Sequence, residues 1–174
     1  MRRVVTGTRH GRSRIERDDV VAPVVVTPLP GYAWHRLWGL DHLPPDPPDS
    51  RVSAGRTHFP PAGGLRFTVF TVPPAGPGRS GSLSADAERE LERSLPGRAG
   101  YMESDQRGMH RTPTLDLICI LSGQIWLELD DDDVQLRQGD YVIQQGTRHA
   151  WRNRSDRPAV MAIVLIGTVS TSTV

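Results

Sequence analysis

The sequence predicts an all-β protein, a sandwich or barrel, on three observations. From Thr114 onward, short apolar runs alternate with tight polar turns at intervals of about 8–12 residues, the texture of packed antiparallel strands. The prolines gather before residue 100 and punctuate further short strands there, since proline lacks an N–H and fixes φ. One segment alone reads convincingly as a helix.

Taken in order, the first 17 residues lean positive through Arg2, Arg3, Arg9, Arg12, Arg14 and Arg17. No aromatic residues interleave with them, and Glu16, Asp18 and Asp19 supply opposite charge, so a solvated strand and loop is expected rather than a nucleic-acid arm. Strands are then expected over Val20–Thr27, Tyr32–Trp38 and Leu65–Val72, separated by the proline-rich stretches LPPDPPDS, FPPAGG and VPPAGPG. In the third strand Leu65, Phe67, Val69 and Thr71 face one way and Arg66, Thr68, Phe70 and Val72 the other.

The helix runs through ADAERELERSL. Ser84 is its N-cap, Glu88 and Glu90 lie early, Arg93 lies late, and Pro96-Gly97 ends it. Its apolar residues are few (Ala85, Ala87, Leu91, Leu95), which places it on the surface, outside the barrel and away from any pocket. Next come LDLICIL, the turn Ser122-Gly123, QIWLEL, the run Asp130–Asp133 as a solvated hairpin tip, VQL, the turn Gln138-Gly139-Asp140, YVIQ, HAWRN and AVMAIVLIG.

At 174 residues the chain is expected to form one domain: an extension over 1–100, with short strands and the surface helix, packed on a barrel core over 101–174. Lys and Arg number 21 against 20 Asp and Glu, so no strong field favours nucleic acid. A lone cysteine, Cys119, excludes a disulfide framework within the monomer and is expected as a small buried hydrophobe. No apolar run approaches a membrane span and no secretory signal is seen, so a soluble cytoplasmic protein with no membrane or nucleic-acid partner is expected. Exposed strand edges invite pairing, so a homodimer is expected.

Two polar rows carry the chemistry. In the extended segment from His110, alternation sends His110, Thr112, Thr114 and Asp116 to one face. That face is either a solvated edge or the polar lining of a cavity. In GTRHAWRN, His149, Trp151 and Asn153 share a face, with the apolar Tyr141 and Ile143 on the preceding strand. An imidazole, an indole and an amide in one row suit the wall of a small-molecule pocket.

In these two segments the sequence resembles the cupin superfamily. Its first motif, G, five residues, H-x-H, three or four residues, E, six residues, G, is met at His110 and Gly123. Glu103 stands near the first glycine, Thr112 in place of the second histidine and Asp116 in place of the glutamate. Its second motif, G, five residues, P-x-G, two residues, H, three residues, N, is met by Gly139, Gly146, His149 and Asn153. The first interval is one residue short, and Gln144 replaces the proline. The rows M-H-R-T-x-T-x-D and G-T-R-H-A-W-R-N are similar to a group of small single-domain, RmlC-like cupins found among natural-product and aromatic-compound pathway proteins. The resemblance implies a jelly-roll-like, double-stranded β-barrel.

What the resemblance implies for chemistry is open in one respect. Metal-dependent cupins use three histidines and a glutamate. Carried over residue by residue, His110, Asp116 and His149 remain, a two-histidine, one-carboxylate set for iron, nickel, manganese or zinc. Without metal, the same residues suit acid–base catalysis, with His149 as base and Asp116 orienting it. Thr112, Thr114 and Trp151 would shape the substrate site in either case. The expected function is dehydration, isomerisation, decarboxylation or oxygenation of a small oxygenated molecule such as an organic acid, ketone or phenol. The alternative is a non-catalytic module that holds a small ligand.

Overall fold

A computed structural model of the chain describes residues 1–10, 12–43, 55–76, 83–106 and 108–169. The proline run at 44–48 and Pro77 lie outside the described residues. The strands are β1 (Arg2–Arg9), β2 (Arg12–Val20), β3 (Ala33–Leu40), β4 (Leu65–Val72), β5 (Thr114–Ser122), β6 (Gln124–Glu128), β7 (Asp133–Arg137), β8 (Tyr141–Gln145), β9 (Ala150–Arg152) and β10 (Ala159–Gly167). One helix, α1 (Ala85–Ser94), lies between β4 and β5, and a short 3-10 turn follows at Ala99–Tyr101.

Two sheets make the barrel, a five-stranded one in the order β3-β4-β10-β5-β8 and a three-stranded one in the order β7-β6-β9. All pairings are antiparallel. The inner faces close on a core of Val72, Ile118, Ile120, Ile125, Leu127, Leu136 and Met161. Strand β10 shows why it sits at the centre: AVMAIVLIG alternates buried and half-buried along its whole length, as a strand covered on one face and flanked on both edges must. Strands β3 and β4, both before residue 101, hydrogen-bond into this sheet, so the extension is part of the barrel wall as well as packed upon it.

The segment Val20–Thr27, expected as a strand, contributes only Val20 at the end of β2 and an isolated bridge at Val24, whose N–H and C=O both pair with Trp34. Pro23 removes the neighbouring donor, and the ladder stops there. The arginine-rich N-terminus folds instead into a β1–β2 hairpin, where Arg2 and Arg3 pair with Asp18 and Asp19 across the strands. The Arg3 guanidinium also donates to the Leu37 carbonyl, tying the hairpin to the five-stranded sheet.

Ser84 caps α1 by accepting from the Ala87 N–H, as the sequence predicts. The helix is a surface element, but it is not remote from the cavity described below. Leu91 is buried with Val26, Leu29, Trp34 and Leu95, and both Leu91 and Glu88 line that cavity. A helix with so short an apolar stripe needs an aromatic floor to stay folded, and Trp34 supplies it.

Candidate active site

A cavity of about 740 Å³ runs from the barrel interior toward α1. Its inner end is built by the C-terminal strands. The segment before β5 and the segment before β9 lie side by side, joined by an isolated bridge in which His110 and His149 exchange both backbone hydrogen bonds at 2.9 Å. Register pairing therefore brings two imidazoles 39 residues apart to a centroid separation of 4.2 Å. Asp116, two turns of the pleat beyond Thr112 on the same face, points inward between Leu165 of β10 and Gln144 of β8.

The two rings are tied back to the chain in the same way. The Gly108 carbonyl lies 2.9 Å from Nδ1 of His110, and the Thr147 carbonyl lies 2.9 Å from Nδ1 of His149. A carbonyl can only accept, so the Nδ1 atoms are assigned the hydrogens and each Nε2 keeps its lone pair. Gln144 Nε2 stands 3.0 Å from the same Nδ1 of His149 and donates to the Thr147 carbonyl and hydroxyl. Burial pushes both imidazoles toward the neutral form. His149 falls to about 4, first through burial and then through the neighbouring His110, against the pull of the Thr147 carbonyl. His110 is also lowered, chiefly by burial.

Asp116 moves the other way. It is 4 % exposed, its Oδ1 has no hydrogen-bond partner among the described residues, and burial raises its carboxyl to about 6 against the opposing Thr114 hydroxyl. A buried carboxyl with an open oxygen, titrating just below neutrality and facing a cavity, is equipped to take up and give back a proton.

The structure brings His110, Asp116, His149 and Trp151 to the cavity wall, with Asn153 beyond them. It does not bring Thr112 and Thr114 there. Both are buried behind the wall and hydrogen-bond each other through their hydroxyls at 2.8 Å. Asn153 donates to the Val72 and Arg157 carbonyls and accepts from Ser155, so its amide ties the β9–β10 turn to the end of β4. Tyr141 and Ile143, the apolar residues of the preceding strand, are 76 % and 60 % exposed. The opposite face of β8, with Gln144, turns inward.

The donor set does not fit a metal ion. Two imidazoles supply two donors, and among the described residues no third His, Cys, Asp or Glu joins them in a group able to hold one. Thr112, where the cupin motif has its second ring histidine, spends its hydroxyl on Thr114. Gln144, not Asp116, contacts the His149 ring.

Several lining residues come from outside the two motifs. His58 and Phe59 enter from the segment before β4, and the Phe59 ring stacks on His110 at 6.2 Å. Trp34, Phe70 and Arg98 close the outer end. Rings thus follow one another along one wall: Trp34, His58, Phe59, His110, His149 and Trp151, each within about 6 Å of the next. No local pattern in the sequence marks these residues: His58 precedes Phe59-Pro60, but nothing along the chain places it at the cavity.

Comparison with known proteins agrees with this architecture. The sequence model of the family described as "Cupin domain" matches residues 99–166. Phomopsin biosynthesis cluster protein C' of Diaporthe leptostromiformis is 43% identical over 68 residues, which cover 36% of this chain and 36% of that protein. Protein D of the same cluster is 48% identical over 48 residues, 27% of this chain and 25% of its own length. The shared region is therefore about a third or less of these relatives. Among solved structures, a cupin-superfamily sugar phosphate isomerase from Silicibacter pomeroyi aligns at 14% identity and a TM-score of 0.44, over 81% of this chain and 62% of that one. Among the described residues, no helix is long and apolar enough to cross a membrane.

Proposed function

We propose that this chain, whose residues 99–166 match the cupin-domain family, is a small-molecule enzyme working by acid–base catalysis in this cavity. The observation that carries the reading is Asp116, a buried carboxyl with an unpartnered Oδ1 on the wall that also holds His110 and His149. Above pH 6 the carboxylate takes a proton from a carbon or hydroxyl of the substrate, and it returns the proton elsewhere on the same molecule. His149 and His110, neutral and with Nε2 free, accept hydrogen bonds from substrate hydroxyls and hold them in place. Trp151 provides an apolar side against which the substrate lies. Dehydration, isomerisation or decarboxylation of a small oxygenated molecule needs these groups and no redox partner. The donor set is the reason acid–base chemistry is favoured over metal-assisted oxygenation. The relatives' membership of biosynthesis clusters supports a natural-product substrate.

The test is a library of small hydroxy acids, keto acids and phenols, incubated with the protein and followed by mass spectrometry. A product formed by the wild type and lost in both Asp116→Asn and His149→Ala, with folding intact, supports the reading. A product that persists in Asp116→Asn removes it. Saturable binding with no product leaves the non-catalytic ligand-binding module as the function.

The expected homodimer finds support on the outer side of β5 and β8. Leu117 pairs with Ile143 and Cys119 with Tyr141, giving an exposed apolar strip beside an edge strand. Light scattering on the wild type and on Tyr141→Lys/Ile143→Lys tests it: a dimer that the double variant turns to monomer is expected, and a monomeric wild type ends the proposal.

A further inference from the structure

The outer half of the cavity carries positive charge that no carboxylate among the described residues neutralises. Most lining arginines are matched. Arg66 pairs with Asp41 at 2.6 Å, Arg152 with Glu128 at 2.7 Å, and Arg154 with Asp133 and Glu128. The lining carboxylates are similarly occupied or distant: Glu103 pairs with Arg148, Glu128 with Arg152, and Glu88 is exposed at the rim. Arg98 is different. Its side chain is half-buried on the cavity wall and makes no hydrogen bond or ion pair among the described residues.

Its surroundings deepen the imbalance. His58, in the same wall, feels Arg98, Arg36, His110 and Arg66, all of which disfavour a further positive charge, and burial with these neighbours holds it at about 3. Arg98 itself is lowered by burial. A guanidinium taken partly out of water without a carboxylate partner is costly, and an anion at this position would offset that cost. The wall around it is apolar and aromatic, with Trp34, Phe70 and Leu91.

Resting on the reading of this cavity as the substrate site, we infer that its substrate is an organic monoanion, a carboxylate on an aromatic or apolar body, with the carboxylate held by Arg98. The Arg98 guanidinium, without a carboxylate partner among the described residues, balances one negative charge and presents the planar fork that a carboxylate accepts. The body of the ligand then extends past His58 and Phe59 toward Asp116 and the imidazole pair, within a volume of the size that small-ligand pockets commonly have.

The test uses 2-naphthoate and its neutral counterpart 2-naphthamide, titrated against the full chain by quenching of tryptophan fluorescence, since Trp34, Trp38 and Trp151 line the cavity. Wild type is expected to bind naphthoate at least tenfold more tightly than naphthamide. Arg98→Gln is expected to abolish that preference while naphthamide affinity and melting temperature stay unchanged, and Arg98→Lys to keep part of it. Ile163→Trp, which fills the inner end, is expected to weaken both probes. Equal affinities in the wild type, with both probes still displaced by Ile163→Trp, would overturn the carboxylate inference and leave the cavity as a ligand site. Probes that do not bind, or that bind regardless of Ile163→Trp, would overturn the inference together with the reading it rests on.

Discussion

His110 and His149 face each other across a two-residue β-bridge, their ring centres 4.2 Å apart and their planes tilted by 47°. The bridge fixes the backbones and the Nδ1 hydrogen bonds fix the rings, so the pair is held before any ligand enters. Burial lowers the proton affinity of both rings, and His110 lowers that of His149 further. Asp116 is shifted the other way, raised by burial to about 6.

Asp116→Asn is expected to stabilise the protein at neutral pH while it abolishes turnover. The folded protein binds the Asp116 proton more tightly than the unfolded chain, because the pKa rises from 3.8 to about 6. Its stabilising contribution is therefore complete below about pH 3.8 and is lost as pH rises to 6. The advantage of the asparagine variant should grow from pH 4 to 6, level off above that, and reach at most ~3 kcal/mol, at about 1.4 kcal/mol per pK unit. Urea unfolding at half-unit steps of pH checks it. Wild-type and variant curves that run parallel over this range would show that burial does not shift Asp116.

Gln144→Leu should disturb the site without touching its reactive groups. It removes the buried amide beside Nδ1 of His149, which also donates to the exposed Thr147 hydroxyl. A cost of about 1 kcal/mol is expected, together with a loss of turnover at an unchanged acid limb near pH 6, since Asp116 remains. Turnover equal to the wild type would mean that Gln144 does not position His149.

Because the donor set offers two imidazoles and no third ligand among the described residues, dialysis against a chelator such as EDTA should leave ligand affinity and melting temperature unchanged. About one equivalent of iron, nickel, manganese or zinc in the purified protein, lost in both His110→Ala and His149→Ala, would instead establish a metal site.

Gly123→Ala tests the turn that joins β5 to β6. Gly123 has φ +76°, and a Cβ there would lie 2.5 Å from the Pro158 carbonyl oxygen and 3.0 Å from the Ala159 Cα. Both contacts are backbone, so neither yields easily. A loss of ~2 kcal/mol or more is expected, roughly 4–8 °C in a calorimetric scan at this chain length. An unchanged melting temperature would mean that the turn relaxes freely.

The closing glycine of the first motif, the cap at Ser84 and the β4 strand at Leu65–Val72 could all be read directly from the residues, because each rests on a local rule: a positive φ, a side-chain hydrogen bond, a period of two. Alternation likewise grouped His110 with Asp116 and His149 with Trp151. It could not say which face of β8 turns inward. The closure of the five-stranded sheet put Gln144 inside and left the apolar Tyr141 and Ile143 on the exposed face.

What the sequence by itself determined was the order of short strands, their turns and the residues sharing each face, since these follow from chemistry within a few positions along the chain. The tertiary structure alone decided that His110 and His149 meet, that Thr112 and Thr114 bond each other behind the wall, and that Arg98, His58 and Trp34 complete the cavity. These relations join segments tens of residues apart. Sheet register and the packing of α1 on Trp34 set them, and no local periodicity encodes either.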